Sequence, residues 1–127
     1  MREILFRGKR RLDRSWNYGD LVHCTDRLVA VSDEQGNFVN VFPETVGQYT
    51  GLTDKNGKKI FEGDIVRCIS MTDMANMIVI FEDGEFRMVL CEKYKDYISG
   101  CGFYAIRCFD KEIIGNIHDN PELLENP

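Results

Sequence analysis

The residues with the most reactive side chains in this 127-residue chain are two histidines and five cysteines, and their spacing gives none of them an evident chemical partner. His23 and His118 lie far apart in the sequence. Acid–base catalysis requires a positioned partner, so each reads as a solvated or turn histidine. The cysteines, Cys24, Cys68, Cys91, Cys101 and Cys108, contain no CxxC pair, whereas zinc ligands usually lie two to four residues apart. The nearest approach is His23-Cys24, and adjacent residues of a strand point to opposite faces. An odd number of cysteines in a chain of this size predicts reduced, mostly buried thiols, with Cys91 and Cys101 left open as a cross-strand pair. No metal or cofactor is expected. The carboxylates Asp33, Asp54, Glu62, Asp64 and Asp83 fall in turns, where such side chains bond their own backbone. The segment Asp33–Asn37 lacks EF-hand ligand spacing. HExxH, GxSxG, P-loop and GxGxxG patterns are absent, so the chain is not expected to be an enzyme.

Charge and aromatic content point to binding instead. Arg2, Arg7, Lys9, Arg10, Arg11 and Arg14 stand against Glu3 and Asp13, so the first fourteen residues carry +4 and the remainder −9 of the net −5. A basic arm on an acidic body can neutralise phosphates or dock on an acidic protein surface. The acidic bulk repels a polyanion at long range, which favours docking on protein, in a homo-oligomer or on another protein. Nucleic-acid binding by the arm is the alternative. Ile4 and Phe6 are the expected apolar anchors of that arm, with Arg7, Arg10 and Arg11 meeting acidic side chains, and Trp16 and Tyr18 near the contact. Tyr and Trp are common interface anchors. They also form stacking platforms for single strands, but the basic residues cluster ahead of the strands rather than among them.

Hydrophobic residues make up 43%, enough for one domain with a modest core. The longest apolar run, Met77–Phe81, is too short to span a membrane, and the start MREILFRGKRR lacks the layout of a secretory signal. A cytoplasmic protein with no membrane partner is therefore expected. Gly8–Arg11 reads as a turn after a first strand. Leu28–Val31 and Phe38–Phe42 read as a hairpin, ended by Pro43. Gly47 and Gly51 punctuate the next segment. Asn56-Gly57 predicts a type I′ turn, and Glu62-Gly63-Asp64 a reversal. Asp83-Gly84 predicts a two-residue hairpin pairing Glu82 with Glu85 and Phe81 with Phe86. Met71, Met74 and Met77 recur as in a helical turn, or as core-edge residues of a loop. Phe103–Phe109 and Glu112–Ile117 read as strands, the second broken by Gly115. Asn120, Pro121 and Glu122 read as a helix start. Gly-Asp-apolar-Val occurs twice, at Gly19–Val22 and Gly63–Val66, as a weak echo of two β units. The pattern predicts an all-β fold: a small barrel or sandwich with SH3-like character, one domain over 1–127 that could comprise two β subunits, and a short C-terminal helical turn.

Three segments resemble the YopX family, small proteins of phages and prophages. They are TVGQYTGLTDKNGKKIFEGDIV (Thr45–Val66), FRGKRR with WNYGDL (Phe6–Leu21), and IIGNIHDNPELL (Ile113–Leu124). The resemblance implies one full-length member, a mostly β fold, phage or prophage origin and a bacterial host cytoplasm. It implies no activity. The expected role is a non-enzymatic binding or assembly module.

Overall fold

The structure, a computed structural model, describes residues 3–25, 28–69, 74–91 and 110–124. The expectations for Arg2, Met71, Lys93–Tyr97, Cys101, Phe103–Phe109 and Cys108 lie outside these residues. The strands are β1 (Phe6–Lys9), β2 (Trp16–Gly19), β3 (Leu21–Thr25), β4 (Leu28–Ser32), β5 (Phe38–Val41), β6 (Gly47–Thr53), β7 (Lys59–Phe61), β8 (Asp64–Ile69), β9 (Met74–Glu82), β10 (Glu85–Leu90) and β11 (Asp110–Asn116). Two 3-10 turns, Pro43–Thr45 and Pro121–Leu124, are the helical elements among the described residues, so the all-β class holds. The strands form three antiparallel sheets, and of the expected barrel or sandwich the closed barrel is not found among the described strands. Closure requires end strands to pair, and β10 and β11 each have one partner among the described strands.

The chain divides into two compact units, Met1–Gly51 and Leu52–Pro127. In the first, β2, β1 and β6 lie side by side, and β3, β4 and β5 form a meander. Val29, Val31 and Val41 are its buried core, with Leu21 and Val46 packed against them. The expected β4–β5 hairpin forms, with Ser32 opposite Phe38. The predicted turn at Gly8–Arg11 lies later, because β1 continues through Gly8 to Lys9. Gly8 is in the strand because its backbone approaches Val41 so closely that a Cβ would sit 2.8 Å from Cγ2.

The second unit is built on the sheet β10-β9-β8-β11. Ile60, Val66, Cys68, Met77, Val79, Phe86 and Met88 form its core. Ile78 and Val79 are neighbours in β9 and both are buried, so this part of the apolar run is covered on both faces. The run ends at Phe81, which is half exposed. Met74 and Met77 belong to β9 rather than to a helical turn or loop. The β9–β10 hairpin has the predicted register, Glu82 opposite Glu85 and Phe81 opposite Phe86, with the two rings edge to face at 5.0 Å. Asp83 and Gly84 have φ of 52° and 82°, as a type I′ turn requires. Arg87 lies 3.6 Å from Glu82 and 3.6 Å from Glu85, which offsets the like-charge pairing at the turn.

The Asn56-Gly57 turn differs from expectation. Gly57 alone has positive φ, at 83°, and Asn56 does not. Gly57 N donates to Asp54 O, and Asp54 N donates to Lys58 O, giving a three-residue loop with glycine in the left-handed position. Asp33–Asn37 repeats this geometry: Gly36 N donates to Asp33 O, Asp33 N donates to Asn37 O, and Gly36 has φ of 84°. In both loops the aspartate Oδ1 accepts from the backbone N–H groups two and four residues on. That side chain fixes the loop and overrides the I′ preference of Asn-Gly.

Candidate functional site

The site is built on the β1–β2 hairpin. Arg7 lies opposite Tyr18 and Lys9 opposite Trp16, so strand alternation puts all four side chains on one face. The other face carries Gly8, Asn17 and Gly19, and it packs flat. A Cβ on Gly19 would lie 2.2 Å from Ser32 O. Asn17 is buried, and its Nδ2 donates to Val31 O and Ser32 O at 2.8 and 3.0 Å. Its Oδ1 accepts from Arg10 Nη2 at 2.8 Å. Asn17 therefore fastens the hairpin to β4 and positions Arg10.

On the presented face, the Arg7 guanidinium lies 4.4 Å from the Trp16 ring centroid and Lys9 Nζ 5.3 Å from it. Arg11 and Arg14 sit over the Phe42 ring at 5.2 and 4.8 Å. Cations over aromatic faces are held by the ring quadrupole, at about 0.5–2 kcal/mol each. The connecting turn is itself fixed. Asp13 Oδ1 accepts from Ser15 N and Ser15 Oγ at 2.9 and 2.7 Å, and these bonds hold its carboxyl below the usual carboxylate range. Arg14 adopts a φ of 62°, a conformation unfavourable for a side chain of this size, and its N donates to Arg10 O. Arg7 is buried, Lys9 and Arg10 are half-buried, and Arg11 and Arg14 are exposed.

Of the residues expected at an interface, Arg7, Arg10, Trp16 and Tyr18 converge here, and Arg11 lies on the adjoining turn. Ile4 is 61% exposed and is not buried within its own chain; the strand that pairs with β6 begins at Phe6. Phe6 is half-buried. Asn17 and Phe42 were not singled out from the sequence, and Lys9 and Arg14 were counted in the basic arm but not among the contact residues. The alternation Arg7-x-Lys9 and Trp16-x-Tyr18 carried the signal for one basic and aromatic face, once the turn is placed between them.

The other motif residues shape backbone. Gly47 pairs with Arg7, and Gly51 and Gly63 have φ of 90° and 92°. Asp64, buried, accepts from Phe61 N at 2.7 Å. Asp20, in the matching Gly-Asp step, is exposed and its N donates to Ser32 Oγ, so the two steps share sequence but not geometry. Gly115 follows a register shift in β11, and a Cβ there would lie 2.5 Å from Asn120 Oδ1. Asn120 accepts from Asn116 N, so it caps backward rather than capping the 3-10 turn that begins at Pro121. His118 N donates to Asn116 Oδ1, and His23 is exposed beside the exposed Cys24. Cys68 and Cys91 are buried, and burial together with the neighbouring Cys68 pushes the Cys91 thiol up to about 11. No group of three or more metal-ligating side chains occurs among the described residues.

The YopX protein family matches residues 5–125. The chain belongs to the YopX family. All three segments that suggested it fall within that span. The fold is similar to a crystal structure of protein EF1440 from Enterococcus faecalis, at 23% identity and a TM-score of 0.54, covering 98% of this chain and 99% of that one. No curated protein matches the sequence. No helix among the described residues is long and apolar enough to cross a membrane.

Proposed function

We propose that this YopX protein is a non-enzymatic binding module and that the basic and aromatic face of its first unit takes an anionic partner. One observation carries the reading: a single hairpin and its turn hold Arg7, Lys9, Arg11 and Arg14 over the rings of Trp16 and Phe42. Stacking orients each cation over a ring face. A guanidinium stacked by its face also directs its N–H donors in its plane, where a carboxylate or phosphate can meet them. The buried carboxylates support a non-enzymatic role, since Asp54 and Asp64 accept hydrogen bonds from backbone N–H groups of their own turns. The reading places the protein in the cytoplasm of a bacterial host, as part of a phage or prophage. Reversing two exposed charges, Arg11→Glu with Arg14→Glu, should lower the salt at which the protein elutes from a heparin matrix while leaving its circular dichroism unchanged. Elution at the same salt would remove this face as the anion site.

A second reading is self-assembly, favoured by the charge distribution. Met1–Gly51 holds seven basic and seven acidic residues, whereas Leu52–Pro127 holds nine and fourteen. The whole net charge of −5 thus belongs to the second unit. A second copy would offer that acidic surface to the basic face. This reading expects a mass in solution above the monomer that falls when Arg11 and Arg14 are reversed.

A further inference from the structure

We infer that the anionic partner of the β1–β2 face is a single-stranded nucleic acid, stacked on Tyr18 with its phosphates on Lys9, Arg11 and Arg14. The inference rests on the proposed anion-binding reading and narrows it.

Three observations point to a single strand. First, Tyr18 is 46% exposed although it lies on the same face as Arg7 and Lys9. An exposed ring beside cations suits a partner that brings both a π-face and a negative charge, and every nucleotide of an unpaired strand brings both. An acidic protein surface or a sulfated polysaccharide supplies the charge alone. Second, Trp16 and Tyr18 are two residues apart on one strand face, roughly 6.8 Å at about 3.4 Å per residue. That step is comparable with one nucleotide of an extended strand, so Lys9 beside Trp16 can meet the phosphate next to a base on Tyr18. Third, the hairpin lies down on its own unit. Asn17 is tied to β4, and Gly8 and Gly19 abut Val41 and Ser32. A ribbon that reads the base pairs of duplex DNA inserts into a groove, whereas this ribbon is packed along its own unit and offers no free edge to insert. Its one presented face fits a strand laid across it. The objection that the basic residues stand apart from the strands is removed, because Arg7 and Lys9 are in β1 itself.

Trp16 is the single tryptophan of the chain, so its fluorescence reports the site directly. The full chain is titrated with oligo-dT and oligo-U of twelve nucleotides, a duplex of the same length, and heparin. Single strands should change Trp16 emission and bind more tightly than the duplex. The affinity should fall with salt at a log–log slope of about −2 for three phosphate contacts on a single strand. Tyr18→Ala should weaken single-strand binding by about 5- to 150-fold, and Tyr18→Phe should retain it. Heparin binding should change little with either variant. If duplex, heparin and single strand bind alike and Tyr18→Ala is neutral, the inference is overturned and the anion-binding reading stands. If none of the probes binds, both are overturned. Self-association lost on charge reversal would then identify an acidic protein surface as the partner.

Discussion

Replacing Asp54 with alanine should destabilise the protein far more than the same change in the twin loop at Asp33. Both aspartates accept two backbone N–H groups of their own loop through Oδ1, from Asn56 and Lys58 at 2.9 and 2.9 Å and from Gln35 and Asn37 at 3.0 and 2.9 Å. Asp54 also reaches Ile113 N in β11 through Oδ2, at 3.0 Å. The loop residues Asn56, Lys58, Gln35 and Asn37 are exposed, so water can replace the lost acceptor. Their loss should cost about 0.5–2 kcal/mol, as for a lost helix N-cap. Ile113 is half-buried in β11, and leaving its N–H without an acceptor should add about 1–3 kcal/mol. Asp54→Ala should therefore cost about 1.5–5 kcal/mol, against about 0.5–2 for Asp33→Ala. The pH dependence gives a second reading. Burial opposes ionisation of Asp54, but the hydrogen bonds from Ile113, Lys58 and Asn56 outweigh it and hold the carboxyl below the ordinary 3.8. A depressed folded-state value means that the ionised form stabilises the fold. Its contribution is fully present above the unfolded-state value and is lost as pH falls through the folded one. The stability gap between wild type and Asp54→Asn should thus be widest near neutrality and narrow as pH drops below 3.8. Urea denaturation at pH 7 and in steps down to pH 3 measures both. Equal costs for Asp54→Ala and Asp33→Ala, or a gap that does not narrow in acid, would refute the assignment of a special role to the Ile113 bond.

Three further outcomes follow from the geometry. Gly115→Ala should cost about 1–3 kcal/mol in urea denaturation, because the new Cβ would lie 2.5 Å from Asn120 Oδ1, and less than that in an Asn120→Ala background; additive costs would show that the clash is not the cause. Gly84→Val should cost about 1–3 kcal/mol, and this comes from backbone alone, since φ is 82° and no atom lies within 4 Å of the added Cβ; a thermal melt unchanged from wild type would contradict the type I′ turn. The exposed Cys24 should react rapidly with a thiol reagent at pH 8, a phase removed by Cys24→Ser, while Cys91, buried and raised to about 11, should react only on unfolding, as a Cys91→Ser comparison would show.

Much of the local structure was legible because it is fixed by neighbours in sequence. Asp83-Gly84 between two apolar runs specified a turn, and the turn specified the register that joins Phe81 to Phe86. Pro43 stopped a strand because it has no N–H to give, and alternating short apolar segments set the β class. The same reasoning failed at Asn56-Gly57. There the deciding group was the Asp54 carboxylate, whose bond to Ile113 spans 59 positions. Local preference is a small energy, and a buried carboxylate satisfied by three N–H groups outweighs it.

The candidate site divides in the same way. Sequence alone determined that the start of the chain is basic, that Trp16 and Tyr18 are aromatics suited to a contact, and that the protein carries the YopX pattern. Tertiary structure alone decided what the arginines do. Gly8 was read as a turn residue because glycine is common in turns, yet it lies in a strand because Val41 leaves no room for a Cβ. Extending β1 by those residues set Lys9 beside Trp16 and carried Arg11 and Arg14 round to Phe42, a residue more than twenty-five positions away. Periodicity assigns a residue to a face, but which distant ring waits beneath it depends on how the strands pack, and that information is spread over the whole unit.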